Sequence, residues 1–421
     1  MKLAVIGSGI AGLTVAAGLA ERKSRGVEFL LFEADDRLGG HTHTVDVEED
    51  GRTLAVDTGF IVFNDWTYPN FMALLERVGV PWQPSNMSFS LQCELTGLEY
   101  NGTSVNSLFA QRRNLFNPRF LSMIAEILRF NREAPRWLAE QGDDLSLRDW
   151  LESRRFRGRF VEHYIVPMGR AIWSAGAEQL LGFPARFFID FFQRHGFLSV
   201  NNRPVWQVVR GGSREYVRSL IRPFEEQIRL RSPIRSVRRS ASGVTLRLDG
   251  GQSLDFDAVV FACHADEALR LLEDSDATET DILGAFPYTI NEAILHTDAS
   301  VLPRAPLARA AWNYHLRRDD PEGVAVTYDM NVLQSLDTER RYLVSLNLAD
   351  RIDPGQVLGR YQYSHPVYTP AGVAAQARHA DISGQRRSYF CGAHWRYGFH
   401  EDGVVSGLAV LAQVDKALDR G

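Results

Sequence analysis

An α/β fold, with a mostly parallel three-layer domain and an interleaved α+β domain, is predicted by three observations. The chain opens on an apolar strand, Lys2–Ile6, followed at once by Gly7-Ser8-Gly9-Ile10-Ala11-Gly12. A second strand, Phe29–Phe32, runs into Glu33, which lies 21 residues after Gly12. Late apolar runs, Ala258–Ala262 and Ser388–Cys391, supply further short buried strands.

Each residue of the opening turn has a physical task. Gly7 permits the tight turn, Gly9 lets the backbone approach a diphosphate, and Gly12 lets helix and strand pack closely. Ile10 and Ala11 begin the helix, whose N-terminus offers unpaired N–H groups and the positive end of its dipole. Glu33, with Ala34 after it, accepts hydrogen bonds from a ribose hydroxyl. The glycine spacing alone is a weak signal. The strand before it, the helix after it and the acid at this distance make it a strong one.

At 421 residues the chain exceeds one ordinary core, so two domains are expected. A hydrophobic content of 45%, a charged content of 24% and a net charge of −5 describe a soluble globular protein and give no reason to invoke nucleic acid. Cys93, Cys263 and Cys391 have no metal-ligand spacing and cannot build a disulfide framework, so no metal and a cytoplasmic setting are expected. The stretch from Lys2 to Ala20 mimics a signal peptide, but cleavage there would remove the phosphate turn. Nothing in the chain approaches an uninterrupted apolar span of ~18 residues.

Asp36-Arg37-Leu38-Gly39-Gly40 comes shortly after Glu33. In this turn the sequence resembles the FAD-dependent amine oxidase and phytoene desaturase superfamily, which extends the fingerprint with Arg-x-Gly-Gly. The nearest resemblance is to bacterial flavin-containing oxidoreductases related to polyunsaturated fatty-acid isomerases and desaturases. It implies a Rossmann-like FAD-binding domain of glutathione-reductase type, with Arg37, Gly39, Gly40, His41 and Thr42 beside the cofactor. His41 stands where the superfamily often has arginine, which makes its contact weaker or pH-dependent. Rab-escort-type proteins keep this fold as flavin-free lipid carriers; the complete set of glycines argues for flavin here.

The remaining elements follow in order. Val45–Val47 and Thr53–Val56 alternate as a hairpin around Asp50-Gly51. Asp57-Thr58-Gly59-Phe60 resembles the superfamily's Asp-x-Gly segment, which implies that Thr58, Gly59 and Phe60 pass beside the isoalloxazine. Phe71–Val78 has helical spacing and ends at Gly79. Ser88–Cys93 and Leu98–Tyr100 read as strands of a second sheet. Residues 108–138 form a basic amphipathic helical region. It either rests on an anionic membrane or is a substrate-domain helix with a solvated arginine face; the second is favoured because Pro118 and Pro135 interrupt it. The aromatic density of Arg155–Leu198 suits a packed core or the wall of an apolar tunnel.

Arg210-Gly211-Gly212-Ser213 opens a helix at Tyr216–Phe224, and Ile234 begins the strand whose backbone, by the resemblance, grips adenine. Val244–Leu248 and Ser253–Phe256 form a hairpin. Cys263 and His264 read as turn residues near the adenine half, since adjacent residues at a strand end rarely form a nucleophile and base. Ala293–His296, Val324–Tyr328 and Tyr342–Leu346 alternate as strands, and Tyr363-Ser364-His365-Pro366 resembles a segment of the nearest relatives.

Gly392 is a close-approach turn, and Gly398-Phe-His-Glu-Asp-Gly403-Val-Val-Ser-Gly407 resembles the superfamily's last flavin motif. The resemblance implies that this helix N-terminus faces flavin N1/O2, with Gly392, Trp395, Asp402, Gly403 and Val404 at the cofactor. Asp402 and Gly403 are shifted relative to the usual Glu-Gly.

The resulting division is 1–84, 200–284 and 385–421 for the FAD-binding domain, and 85–199 and 285–384 for the substrate domain. With no second Gly-x-Gly-x-x-Gly, a dedicated NAD(P)H domain is not expected. The expected activity is hydride transfer to flavin N5 from an apolar or lipid substrate, an unsaturated fatty acyl chain undergoing desaturation, oxidation or isomerisation. Tyr397, His394 and Asn313 are the candidates for positioning or proton transfer. The alternative is amine oxidation. Many amine oxidases of the superfamily hold a water near N5 with a lysine, and Lys2, Lys23 and Lys416 are the only lysines of this chain. The sequence leaves oligomeric state undetermined.

Overall fold

The computed structural model describes residues 1–140, 145–319 and 323–420. At its centre five parallel strands lie in the order Ile228–Arg229, Glu28–Phe32, Lys2–Ile6, Ala258–Phe261, Ser388–Phe390. Leu3 and Val5 pack into one core with the helix Ile10–Glu21 and the terminal helix His400–Leu418. Ala4 and Ile6 pack into another, against the antiparallel sheet Ile234–Arg239, Val244–Leu248 and Ser253–Phe256. Both faces of the first strand are thus buried, which is why it reads as a continuous apolar run rather than an alternating one. Helices, parallel sheet and small sheet make the three layers.

A seven-stranded sheet takes the order Val357–Pro366, Tyr288–His296, Leu343–Leu346, Ala325–Asp329, Trp312–Leu316, Phe89–Cys93, Leu98–Asn101. Its one parallel pair, Trp312–Leu316 on Phe89–Cys93, joins a late stretch of chain to an early one. Helices Pro118–Ala139, Leu147–Ser153, Val166–Trp173 and Ala185–Arg194 share this sheet's core.

The expectation that Pro118 and Pro135 interrupt the basic region is corrected. Pro118 occupies the first turn of a 22-residue helix, and Pro135 lies inside that helix. An internal proline costs about 3 kcal/mol. Phe120, Met123, Phe130, Ala134 and Trp137 are all buried along one side, and that burial outweighs the cost. The aromatic stretch is mainly core: Phe156, Phe160, Phe183, Phe188 and Phe192 are each at most 2% exposed. The helix after Tyr68 runs Pro69–Val78 and stops at Gly79 in the left-handed conformation, as the sequence predicts. Among the described residues, no helix is long and apolar enough to cross a membrane.

Candidate functional site

The glycine turn is built for close approach. Gly7 has φ +104°, and a Cβ there would stand 2.7 Å from the Ala262 carbonyl oxygen; one on Gly12 would stand 2.0 Å from the Gly7 oxygen. Beside Gly9 the same test finds nothing within 4 Å. Gly9 caps the helix Ile10–Glu21, which has no side-chain cap and no acid in its first turn among the described residues, so its leading amides await an acceptor. Gly39 bridges to Gly9, and Gly40 lies so near that its Cβ would be 3.1 Å from the Gly9 Cα.

Glu33, with Ala34 beside it, stands at the edge of this turn. Its carboxylate accepts from the Ser8 N–H at 3.0 Å, the Ser8 hydroxyl at 2.5 Å and the Asp35 N–H at 3.0 Å. The Ser232 N–H donates to the Glu33 carbonyl at 2.8 Å, which brings the stretch leading into Ile234 alongside. Arg37 donates to the carbonyls of Gly40 and Thr42 at 2.8 and 3.2 Å, bracing the Gly-Gly turn.

Two later segments close on that turn. The Phe60 N–H donates to the His41 carbonyl at 2.7 Å, and a Cβ on Gly59 would be 2.0 Å from the same oxygen. The Thr42 hydroxyl contacts the Tyr216 hydroxyl and lies 2.9 Å from His400 Nε2. His400 stacks on Phe60 with ring centres 3.5 Å apart and planes 8° from parallel. The Tyr363 hydroxyl bridges His43 Nδ1 at 2.9 Å and Thr58 Oγ1 at 2.8 Å. His41 sits among Tyr363, His365 and His264, with ring centres 5.4, 5.2 and 6.3 Å away. Its Nε2 is buried without a partner among the described residues, and burial holds the ring well below the ordinary histidine pKa.

The C-terminal segment brings a second helix N-terminus to the first. Gly403 and Gly407 press on Ile10 and Ala11: a Cβ on Gly403 would be 2.6 Å from Ile10 Cγ2, and one on Gly407 2.9 Å from the Ala11 oxygen. Val404 is buried in the same core. Glu401 accepts from the Asn70 N–H, its side-chain amide and the Phe71 N–H, capping the helix Pro69–Val78. Asp402 accepts from the Phe399 N–H at 3.0 Å, and burial pushes its carboxyl up to about 7. Asp402 borders a cavity of about 300 Å³ with Tyr68, His195, Arg396, Tyr397 and Phe399. The Tyr397 hydroxyl donates to Asp190, which also receives Arg194 Nε at 2.7 Å.

Several candidates do not join this convergence. The Asn313 amide is committed within its sheet, accepting from Ser90 Oγ and the Ala310 N–H and donating to the carbonyls of Ala310 and Thr327. Trp395 packs on His379 and Phe286 in the core beneath the small sheet. His394 is buried on Phe286, at a ring-centre distance of 5.1 Å, and burial lowers its pKa to about 3. Gly392 donates its N–H to Ser406 Oγ at 3.0 Å, tying the turn to the terminal helix. His264 stacks on Tyr288 and neighbours His41, so it faces the Gly-Gly turn rather than standing apart with the adenine-side strand. Sequence reasoning passed over Tyr216, Asn291 and Tyr363. The Tyr363-Ser364-His365-Pro366 segment was the one signal that could have pointed to Tyr363 and His365.

The features fit a dinucleotide. Glycines admit its backbone-hugging diphosphate, bare amides meet negative charge, a carboxylate stands where a ribose would lie, and a buried imidazole nitrogen waits for a partner.

Comparison with known proteins bears on the family and the fold. A family model described as flavin containing amine oxidoreductase matches residues 10–342. The 15-cis-phytoene desaturase of Arabidopsis thaliana is 26% identical over 297 residues, 65% of this chain and 50% of that protein. The chain spans about half the length of the curated relatives it matches. Among solved structures, cyclohexylamine oxidase from Brevibacterium oxydans superposes with a TM-score of 0.70 at 16% identity, covering 99% of both chains. A CLA-producing fatty acid isomerase from P. acnes gives 0.68 at 14% identity over 98% of both. At those identities the likeness is one of fold.

Proposed function

This chain belongs to the flavin containing amine oxidoreductase family, an FAD-dependent oxidoreductase by that membership, and from this we propose that it oxidises or isomerises an unsaturated fatty acyl chain. The observation that carries the reading is an aromatic cluster beside the last motif, of which Tyr397 and Phe399 border the cavity. Phe187 and Phe191, on the helix Ala185–Arg194, approach Tyr397 at ring-centre distances of 4.9 and 5.6 Å, and Phe191 stacks on Phe399 at 5.1 Å. Phe187 also meets Tyr368 at 4.9 Å. A cluster of this kind favours an apolar chain by burial and excludes water from its surroundings.

Bound FAD supplies a two-electron acceptor. The residues that would hold it are Gly7, Gly9, Ile10, Ala11 and Gly12 at the diphosphate, and Glu33 with Ala34 at the ribose. Arg37, Gly39, Gly40, His41 and Thr42 would form the second turn, with Ile234 on the adenine side. Thr58, Gly59, Phe60, Gly392, Asp402, Gly403 and Val404 would complete the flavin end. On this reading the helix His400–Leu418 would direct its N-terminal amides and dipole toward that end, where they would stabilise negative charge. Tyr397, its phenol pushed up by burial and by Asp190, stays protonated with its hydroxyl donating to Asp190, and orients substrate as a wall rather than as a base. The same reading assigns 1–84, 200–284 and 385–421 to the cofactor and 85–199 and 285–384 to the substrate.

Exposed Leu115, Phe116 and Leu121 lie among exposed Arg112, Arg113 and Arg119, which supports delivery of the substrate from an anionic lipid surface. Flotation with anionic and neutral vesicles tests this. The activity itself is tested by anaerobic mixing with a panel of unsaturated fatty acids and acyl lipids. Flavin bleaching or a shifted double bond supports it, and neither across the panel counts against it. The second reading, amine oxidation, is favoured by the aromatic pair Tyr397 and Phe399, which would flank an amine. It predicts peroxide release with amines in place of acyl products.

A further inference from the structure

Three side chains outside the glycine turns fix a proton on the wall of the cofactor groove. The logic starts from a group that can only donate. The Glu292 N–H donates to Asn347 Oδ1 at 2.9 Å, so the other end of that amide is its NH2. Asn347 Nδ2 in turn reaches the Val324 carbonyl at 3.0 Å and Asn291 Oδ1 at 2.8 Å. Asn291 must therefore present its own NH2 to the Thr289 carbonyl at 3.3 Å and to His365 Nδ1 at 2.9 Å. Turning either amide over would set two donors face to face and leave a buried carbonyl facing oxygen. Nδ1 of His365 is consequently an acceptor, and the neutral ring carries its proton on Nε2.

The location gives that proton a use. His365 stands 5.2 Å, centre to centre, from His41, which follows the Gly39-Gly40 turn lying against Gly9. The hydrogen bond of the His365 ring is the one at Nδ1, and the nearby His41 Nε2 is buried without a partner among the described residues. The Nε2–H of His365, beside a buried and unpartnered His41 nitrogen and a turn shaped for a diphosphate, is left to donate to a ligand's acceptor atom.

We propose that His365 is a cofactor-binding residue, held by Asn347 and Asn291 as a neutral Nε2–H donor to the flavin dinucleotide. Asn291 and Asn347 are its positioning residues. Other titratable groups lie around the ring. His264 lies 6.3 Å, centre to centre, from His41, Arg37 braces the turn, Tyr288 stacks on His264, and Glu267 lies 3.8 Å from His264. Burial, followed by the field of His264, lowers the His365 pKa to about 4. A donor aimed at Nδ1 acts the same way, since an imidazolium has no acceptor to offer it.

The inference is independent of the substrate. It is tested on holoprotein with 15N-labelled histidine, reading the tautomer of His365 by long-range 1H–15N correlation, with FAD dissociation constants from flavin fluorescence as the second measurement. The expected result is a bare Nδ1 and a protonated Nε2 between about pH 6 and 8. His365→Ala should weaken FAD about ten-fold, the loss of one hydrogen bond, and His365→Gln should recover part of it. Asn291→Asp puts an acceptor against Nδ1, so the proton moves there. FAD affinity should then become pH-dependent, tight where the ring is doubly protonated and weaker at higher pH. A wild-type His365 protonated on Nδ1 overturns the proposal. So does a folded His365→Ala protein that binds FAD as tightly as wild type.

Discussion

Asp57 receives both the backbone N–H and the hydroxyl of Ser213, at 2.9 and 2.8 Å, so the end of an early strand grips the start of a helix 156 residues further along. Thr44 Oγ1 adds a third donor at 2.5 Å and Gln334 Nε2 a fourth at 3.1 Å. The carboxylate thus ties together the two early strands, the helix Arg214–Ile221 and a loop reached from the large sheet.

That junction has a pH signature. Burial pushes the Asp57 carboxyl up to about 6 from its usual 3.8, its four donors notwithstanding. Between those values the folded protein keeps a proton that the unfolded chain has released, so stability falls as pH rises through the window. The fall attributable to Asp57 is at most about 3 kcal/mol. Asp57→Asn should flatten this part of the pH profile in chemical denaturation. It should also lower stability by about 1–2 kcal/mol near neutral pH, because its NH2 would face the Gln334 NH2, fixed in place by the Asp57 N–H on its oxygen.

Gly12→Ala should abolish flavin retention. The added carbon would stand 2.0 Å from the Gly7 oxygen, a backbone atom that cannot move without opening the phosphate turn. Gly9→Ala meets no protein atom within 4 Å, so the protein should fold normally and lose FAD affinity only, through obstruction of the diphosphate. Thermal melts with and without added FAD separate the two. Gly12→Ala lowers both, while Gly9→Ala lowers only the flavin-stabilised one.

These two glycines show why the nucleotide half was legible in the sequence. Gly7, Gly9, Gly12 and Glu33 sit within one strand-helix-strand unit, so their spacing along the chain is their geometry. The His365 relay was not legible, because Asn291 and His365 lie on two strands and Asn347 just past the end of a third, and they meet only through sheet pairing. Asn291 is opposite Tyr363 across the ladder, two residues from His365. Asn313 misled for the opposite reason. A lone amide among aromatics looks functional in sequence, and here its partners are three backbone groups and the Ser90 hydroxyl within the sheet. Pro135 misled because local propensity was weighed without the buried face that overrides it.

Asp402 should set a titration in the reaction. It borders the cavity with Tyr397 and Phe399, and burial holds its carboxyl at about 7 instead of 3.8. Below that value it is neutral and above it a negative charge appears in the first turn of the helix His400–Leu418. Asp402→Asn should remove an apparent pKa near 7 from the kcat profile while keeping a side-chain acceptor for the Phe399 N–H. Asp402→Ala should remove the same pKa and also cost about 1 kcal/mol of stability through the lost cap. A profile that keeps its inflection in Asp402→Asn would assign the titration elsewhere.

Tyr397 and Asp190 separate a wall from a catalyst. The phenol is bound to Asp190 and raised above the ordinary tyrosine range, so it cannot serve as a base near neutral pH. Its ring packs on Phe187 and Phe191, which puts its contribution in contact area. Tyr397→Phe should therefore keep kcat within about ten-fold and leave its pH dependence unchanged, since one hydrogen bond is lost and no titrating group. Tyr397→Ala removes the ring itself. It should raise KM for an apolar substrate by about ten-fold or more, the equivalent of about 1.5–3 kcal/mol of burial, with a smaller effect on kcat. Asp190→Asn completes the set. It leaves the ring in place but removes the charge that raises the phenol, so the Tyr397 absorbance near 295 nm should titrate at lower pH than in wild type, while KM stays where it was.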